Sequence, residues 1–138
     1  VADFPVKKQK KPATKRYFHY FHIVHDNNTY LYKRDRSDIW KNLYEFPLIE
    51  TRMPMDFVQL RQTEEYQALF SGIPSLPGTH PLMLKHKLSH QEIHTSFYRI
   101  VIPEKFHFRP PQNIIRTEIG NLSEYPISRL THKYLETI

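Results

Sequence analysis

The sequence contains no cysteine and only three glycines, and no apolar run in it approaches the length of a membrane span. Without cysteine, these residues can form no disulfide, thiolate zinc site, iron–sulfur ligation or cysteine nucleophile. Gly72, Gly78 and Gly120 cannot be written into a P-loop or a dinucleotide fingerprint, because both need several glycines at short fixed spacing. "SLPGTH", Ser75 to His80, has one of the two glycines a phosphate-holding hairpin would need and is discounted. No Ser-His-Asp or paired-carboxylate arrangement stands out. A spanning segment and a cleavable leader pattern are both lacking, so the expectation is a soluble, cytoplasmic protein with no membrane partner.

What the chain does have is aromatics, histidine and an uneven positive charge. Its 138 residues fit one domain with a real core. They include nine Tyr, nine Phe and nine His, with a formal net charge of +6. Lys7, Lys8, Lys10, Lys11, Lys15 and Arg16 stand against Asp3, so nearly all the excess lies in residues 1–16. With Pro5 and Pro12 and no apolar periodicity, that segment reads as a linker. It serves either as a strap along a phosphate backbone or as a solvated spacer.

From Tyr17 the pattern changes. "YFHYFHIVH" is large and β-prone on both faces and predicts a buried strand. Asp26-Asn27-Asn28 is a turn signal, so Tyr17 to Arg34 is expected as a hairpin. A strand is expected around Tyr44 to Ile49. A helix is expected from an Asp56 cap to about Phe70, stopped by Gly72 and Pro74. Extended segments are expected at Leu82–Leu88 and Ile93–Ile102, with a short strand in "NIIRTEI". Ile127, Leu130, Tyr134 and Ile138 fall at steps of three and four, which predicts a terminal helix beginning near Ser128. Strands mixed with separated helices, without βαβ alternation, give an α+β class.

Two clusters invite chemistry. His19, His22 and His25 step by three, which on a strand sends His22 to the opposite face. His86, His90 and His94 share parity, and the nearby Glu92 is read as facing away from them. No metal site is assigned, and satisfied strand and loop histidines are the better reading. Trp40, Tyr44 and Phe46 lie within seven residues, which suits a core or a ligand.

Three motifs then bear on family. "IWKNLYEFPLIE", "HKLSHQEIH" and "YPISRLTHKYLE", in this order and spacing, closely resemble the C-terminal domain of the A/G-specific adenine DNA glycosylases, the MutY family. "FPVKKQKKPATKRY" resembles that family's connector to the catalytic part. The resemblance spans essentially the whole chain. It implies a Nudix-like fold, a mixed β-sheet packed between helices, with residues 1–16 as a basic interdomain linker and 17–138 as an 8-oxoguanine-recognition domain. The function it implies is lesion recognition within a glycosylase that removes adenine mispaired with 8-oxoguanine in base excision repair. The family's reading loop, typically Phe-Ser-His, corresponds here to Leu88-Ser89-His90; the leucine removes any ring stacking at that position. Residues alone leave a plain turn between two strands as the alternative. Lys7, Lys8, Lys10, Lys11, Lys85 and Lys87 are the expected phosphate contacts. By the same resemblance Trp40, Leu43, Phe46 and Pro47 are packing residues, with base stacking by Trp40 or Tyr44 left open.

The same ancestry supplies a rival, a nucleotide pyrophosphatase. Its Nudix box needs a glutamate six residues after a glycine, followed by a helix bearing R-E-x-x-E-E that holds Mg²⁺. Gly78, Leu84 and Pro126 stand six residues after the three glycines, so no box exists. Arg61, Glu64 and Glu65 in "RQTEEY" are then an exposed helix face. The fragment is expected to be no enzyme and to carry no cofactor. The parent is expected to hold its catalytic acids and an iron–sulfur cluster in an N-terminal domain. Expected partners are duplex DNA bearing 8-oxoguanine opposite adenine, that catalytic domain, and a sliding clamp or mismatch-repair protein, in a bacterial nucleoid. A protein-interaction module, docking through the Pro-rich connector or the C-terminal helix, is the third reading.

Overall fold

The computed structural model describes residues 12–74 and 80–138. Lys7, Lys8, Lys10, Lys11 and most of "SLPGTH" lie outside them. The first element, β1 (Thr14–Val24), is an eleven-residue strand whose later residues are almost wholly buried. Its large side chains on both faces make it a central strand. It pairs in parallel with β6 (Gln91–Val101) along its whole length, from Thr14↔Gln91 to Val24↔Val101. On its other side lies β4 (Leu48–Thr51), antiparallel, and β5 (Leu82–Lys87) completes the order β4-β1-β6-β5. A smaller sheet has the order β3-β2-β7, from β2 (Asn28–Lys33), β3 (Tyr44–Glu45) and β7 (Ile115–Glu118). Lys15 and Arg16, read above as part of the basic segment, are residues of β1.

Strand alternation divides the core into two. Phe21 and Ile23 pack with Tyr98, Ile100 and the helical residues Phe57, Leu60, Tyr66 and Leu69. Phe18 and Tyr20, one step out of phase, pack with Phe46, Phe97, Leu130 and Tyr134. The large sheet therefore lies between helices, as the α+β expectation requires. The terminal helix α3 (Arg129–Glu136) starts where expected: Ser128 is its N-cap, accepting from the Thr131 amide.

Three local expectations need correction. β1 and β2 are joined by a tight turn with Asp26 and Asn27 at φ 50° and 60°, and one bridge, His25↔Asn28, follows. They do not continue as a hairpin ladder, because β1 is already paired on both edges and β2 joins the other sheet. The strand expected over Tyr44–Ile49 is broken at Phe46-Pro47, where the chain passes from one sheet to the other; proline has no N–H to extend a ladder. The helix expected from Asp56 to Phe70 is two, α1 (Phe57–Leu60) and α2 (Glu64–Leu69). Asp56 caps α1 with a full capping box, but the Thr63 hydroxyl donates to the Leu60 carbonyl at 2.7 Å and accepts from the Tyr66 amide, ending one helix and starting the next.

Candidate functional site

The turn between β5 and β6 projects Leu88, Ser89 and His90 into solvent. Its backbone is braced on both sides. The Leu88 amide donates to the Gln91 carbonyl at 2.7 Å, and the Thr14 amide of β1 donates to the His90 carbonyl at 3.1 Å. Arg16 adds a third tie by donating to the Gln91 side chain at 3.2 Å. Ser89 makes no side-chain hydrogen bond among the described residues, so its hydroxyl is available to a ligand.

Arg16 connects this turn to a buried chain of charge. Its guanidinium donates to Glu50 at 2.9 and 2.7 Å and to Asp38 at 3.1 Å. Asp38 accepts two bonds from Arg34, at 2.8 and 2.9 Å, and Arg34 reaches Glu45 at 3.0 Å. Glu45 also accepts from the hydroxyls of Tyr20, at 2.7 Å, and Tyr32. Burial opposes the Arg34 charge, but Asp38 and Glu45 outweigh it and hold its pKa above the ordinary value. Burial also pushes both tyrosines up, reinforced by Glu45. Asp38 is held below the usual carboxylate range: its partial burial works the other way, and bonds from Arg34 and Arg16 prevail. The sequence reading missed this network. Its signal was Glu45 itself, a lone acid set between Tyr44 and Phe46 after the charge run "KRDRSD".

Of the expected phosphate contacts, Lys87 is exposed on β5, while Lys85 donates to Glu92 at 2.9 Å. Glu92 also meets His94 at 2.7 Å, which corrects the expectation that it faces away: residues two apart on a strand share a face. The hydrogen bond from Lys85 is the main cause that lowers the Glu92 pKa; desolvation opposes it, and the bond from His94 adds to the lowering. His86 pairs with Ile93 in register, placing it on the face opposite His94. His19 bonds Thr51 at 2.9 Å and His22 bonds Tyr134 at 2.8 Å, on opposite faces of β1. Burial, aided at His22 by the charge of Arg99, lowers both imidazoles to about 4. No group of three metal-ligating side chains converges among the described residues.

The aromatic cluster is engaged with protein. Phe46 is fully buried; Trp40 packs edge-on against Phe18 at 6.1 Å and tilted against His86 at 5.7 Å; Tyr44 meets Tyr125 at 5.0 Å. Glu64 and Glu65 are exposed in the first turn of α2, where the helix dipole favours them. The Arg61 guanidinium lies over the Phe57 ring.

Residues 19–137 match the NUDIX domain. The chain belongs to the NUDIX domain family. Among solved structures it resembles the C-terminal domain of mouse MUTYH, crystallised in complex with human PCNA, with a TM-score of 0.70 and 16% identity over 88% of this chain and 85% of that one. It resembles the MutT NUDIX hydrolase of Burkholderia pseudomallei at a TM-score of 0.64 and 17% identity, over 90% and 98% of the two chains. The NUDIX domain of Shewanella oneidensis NrtR, solved with ADP ribose, follows at 0.55 and 11%, over 94% and 88%. At such identities the likeness is one of fold. No curated protein sequence matches the chain.

NUDIX hydrolysis uses carboxylate-bound Mg²⁺, and the carboxylates between β4 and α2 do not fit that ion. Glu50 is tied to Arg16 and Asp56 caps α1, leaving Glu64 and Glu65 as one exposed pair on a short helix. A Mg²⁺ cradle needs carboxylates that converge and are free to bind.

Proposed function

We propose that this NUDIX domain is the lesion-recognition domain of a MutY-type adenine glycosylase, which reads 8-oxoguanine opposite adenine through the turn Leu88-Ser89-His90. The observation that carries the reading is the exposed, unpartnered Ser89 hydroxyl at the tip of a turn whose backbone is fixed on both sides. The three sequence motifs support the family, and the likeness to the mouse MUTYH domain is consistent with it.

The chemistry follows from the lesion. 8-Oxoguanine carries an added O8, and its N7 is an N–H donor where guanine has an acceptor. The Ser89 hydroxyl accepts from N7–H and turns its own proton toward O8 or a phosphate. Before guanine the same hydroxyl meets an N7 acceptor and loses that accepting bond. Contacts of this kind discriminate by about 1–3 kcal/mol, or roughly 5- to 150-fold. Leu88 offers an apolar wedge against a base step. Lys87 and the lysines Lys7, Lys8, Lys10 and Lys11 of the basic segment, a linker to the catalytic domain in this reading, add sequence-independent attraction to phosphates. The adenine pocket, its catalytic acids and an iron–sulfur cluster belong to that other domain, and the whole enzyme works on the nucleoid. A sliding clamp is the proposed protein partner, by analogy with the complex of the mouse domain.

The test is Ser89→Ala, titrated with matched duplexes carrying 8-oxoguanine or guanine opposite adenine. The variant loses most of the lesion preference while keeping its affinity for the guanine duplex; a full retained preference removes Ser89 as the reader. Membership in the NUDIX family favours pyrophosphate hydrolysis as the second reading. Incubation with 8-oxo-dGTP and Mg²⁺ separates the two, since turnover would establish the hydrolase.

A further inference from the structure

A second basic surface adjoins the turn. Along the outer edge of β4 runs an open groove of about 640 Å³, bounded by Lys15 and Arg16 of β1, by Arg36 and by Arg52. Lys15, Arg36 and Arg52 are exposed and carry no ion pair among the described residues. The acids of the groove are Glu50, already neutralised by Arg16 at 2.7 Å, and Glu65. The local balance is therefore positive, and its cations are free to meet an anion. β4 is an edge strand, so part of its backbone N–H row is unpaired and faces outward. Phosphate oxygens accept from both kinds of donor, charged side chains and backbone amides.

Position ties the groove to the turn. Thr14 lines the groove, and its amide holds the His90 carbonyl at 3.1 Å. The β4, β1, β6 and β5 ends at this side of the sheet stand next to one another, so exposed cations run from Lys87 to Lys15 and on to Arg52 and Arg36; Glu92, in register between Lys87 and Lys15, is already paired with Lys85 at 2.9 Å. Neighbouring strands are spaced by about 4.8 Å, so four strands span roughly 14 Å, the length of a few nucleotides of backbone.

We infer that the groove formed by Lys15, Arg36 and Arg52 along the edge of β4 holds the phosphodiester backbone of nucleic acid, a second contact that fixes a duplex while the turn inspects a base. The inference rests on the DNA-reading function proposed above but assigns different residues. Its signature is also different: backbone contacts release counterions and carry no base preference.

The experiment is a salt titration of binding to the 8-oxoguanine and guanine duplexes by the unaltered chain, by Ser89→Ala, and by Lys15→Ala, Arg36→Ala and Arg52→Ala singly and together. Unchanged melting curves confirm that these exposed positions leave the fold intact. Each groove substitution lowers the magnitude of the slope of log affinity against log salt by about 0.9, and the triple variant binds both duplexes roughly tenfold or more weakly at low salt. The lesion-to-guanine ratio stays constant. An unchanged slope in the triple variant, with lesion preference intact, overturns the groove and leaves the turn reading in place. A lowered slope with no lesion preference in the unaltered chain keeps the groove and overturns the turn reading. Absence of binding to either duplex overturns both, and so does saturable binding of an acidic peptide that duplex DNA fails to displace.

Discussion

Arg34 and Glu45 stand 3.0 Å apart with both side chains about 2% exposed, the most deeply buried ion pair among the described residues. Desolvating two charges is costly, and further partners offset part of that cost: Tyr20 and Tyr32 on the glutamate, Asp38 on the arginine, with burial still leaving the Glu45 carboxyl above its ordinary pKa. Removing one member strands the rest. Glu45→Ala is therefore expected to cost about 3–5 kcal/mol, read as a drop in the denaturant midpoint, because Arg34 and two tyrosine hydroxyls lose their acceptor together. A loss below about 1 kcal/mol would mean that water replaces the carboxylate easily.

His19 and His22 predict a pH dependence. Each is nearly inaccessible, and each has a pKa lowered from 6.5 to about 4. Between those values the unfolded chain binds protons that the folded chain refuses, so stability is highest above about pH 6.5 and falls as pH drops toward 4. At about 1.4 kcal/mol per unit for each group, the loss by pH 5 is on the order of 2 kcal/mol per histidine. Urea denaturation at pH 7 and pH 5 measures it, and His22→Phe should roughly halve the difference. Equal stability at the two pH values would show that these imidazoles are charged in the fold or rehydrated.

Trp40 combines a useful ring with a strained backbone. Its φ of 61° lies in the left-handed region, while its side chain packs on Phe18 and His86. Trp40→Ala keeps the strain and loses the ring; Trp40→Gly loses the ring and relieves the strain. The glycine variant should thus be the more stable of the two by about 1 kcal/mol, despite having the smaller side chain. Both should retain the lesion preference if Trp40 only packs. A preference lost in both would make the ring a base-stacking group.

Much of the fold was legible because β1 is large on both faces and only a central strand tolerates that. The terminal helix was legible too, from Ser128 as a cap and apolar residues at helical spacing. The breaks were not. Phe46-Pro47 sits inside an apolar stretch that reads as one strand, and only the competition of two sheets for the chain decides that it divides there. Thr63 looks like any polar helix residue until its hydroxyl is seen closing α1 and opening α2. At the site, the exposed turn followed from the two flanking strands. The tie from Arg16 to Gln91 spans 75 positions, and the ion pairs from Asp38 to Glu45 depend on side-chain reach, which no periodicity encodes.

The measurement that bears most directly on the account is the dissociation constant of the unaltered chain for two duplexes that differ only in one base, 8-oxoguanine or guanine opposite adenine, at moderate salt. The account predicts tighter binding to the oxidised base by roughly 5- to 150-fold, as expected when one hydroxyl gains a hydrogen-bond donor. Indistinguishable constants for the two duplexes would contradict it.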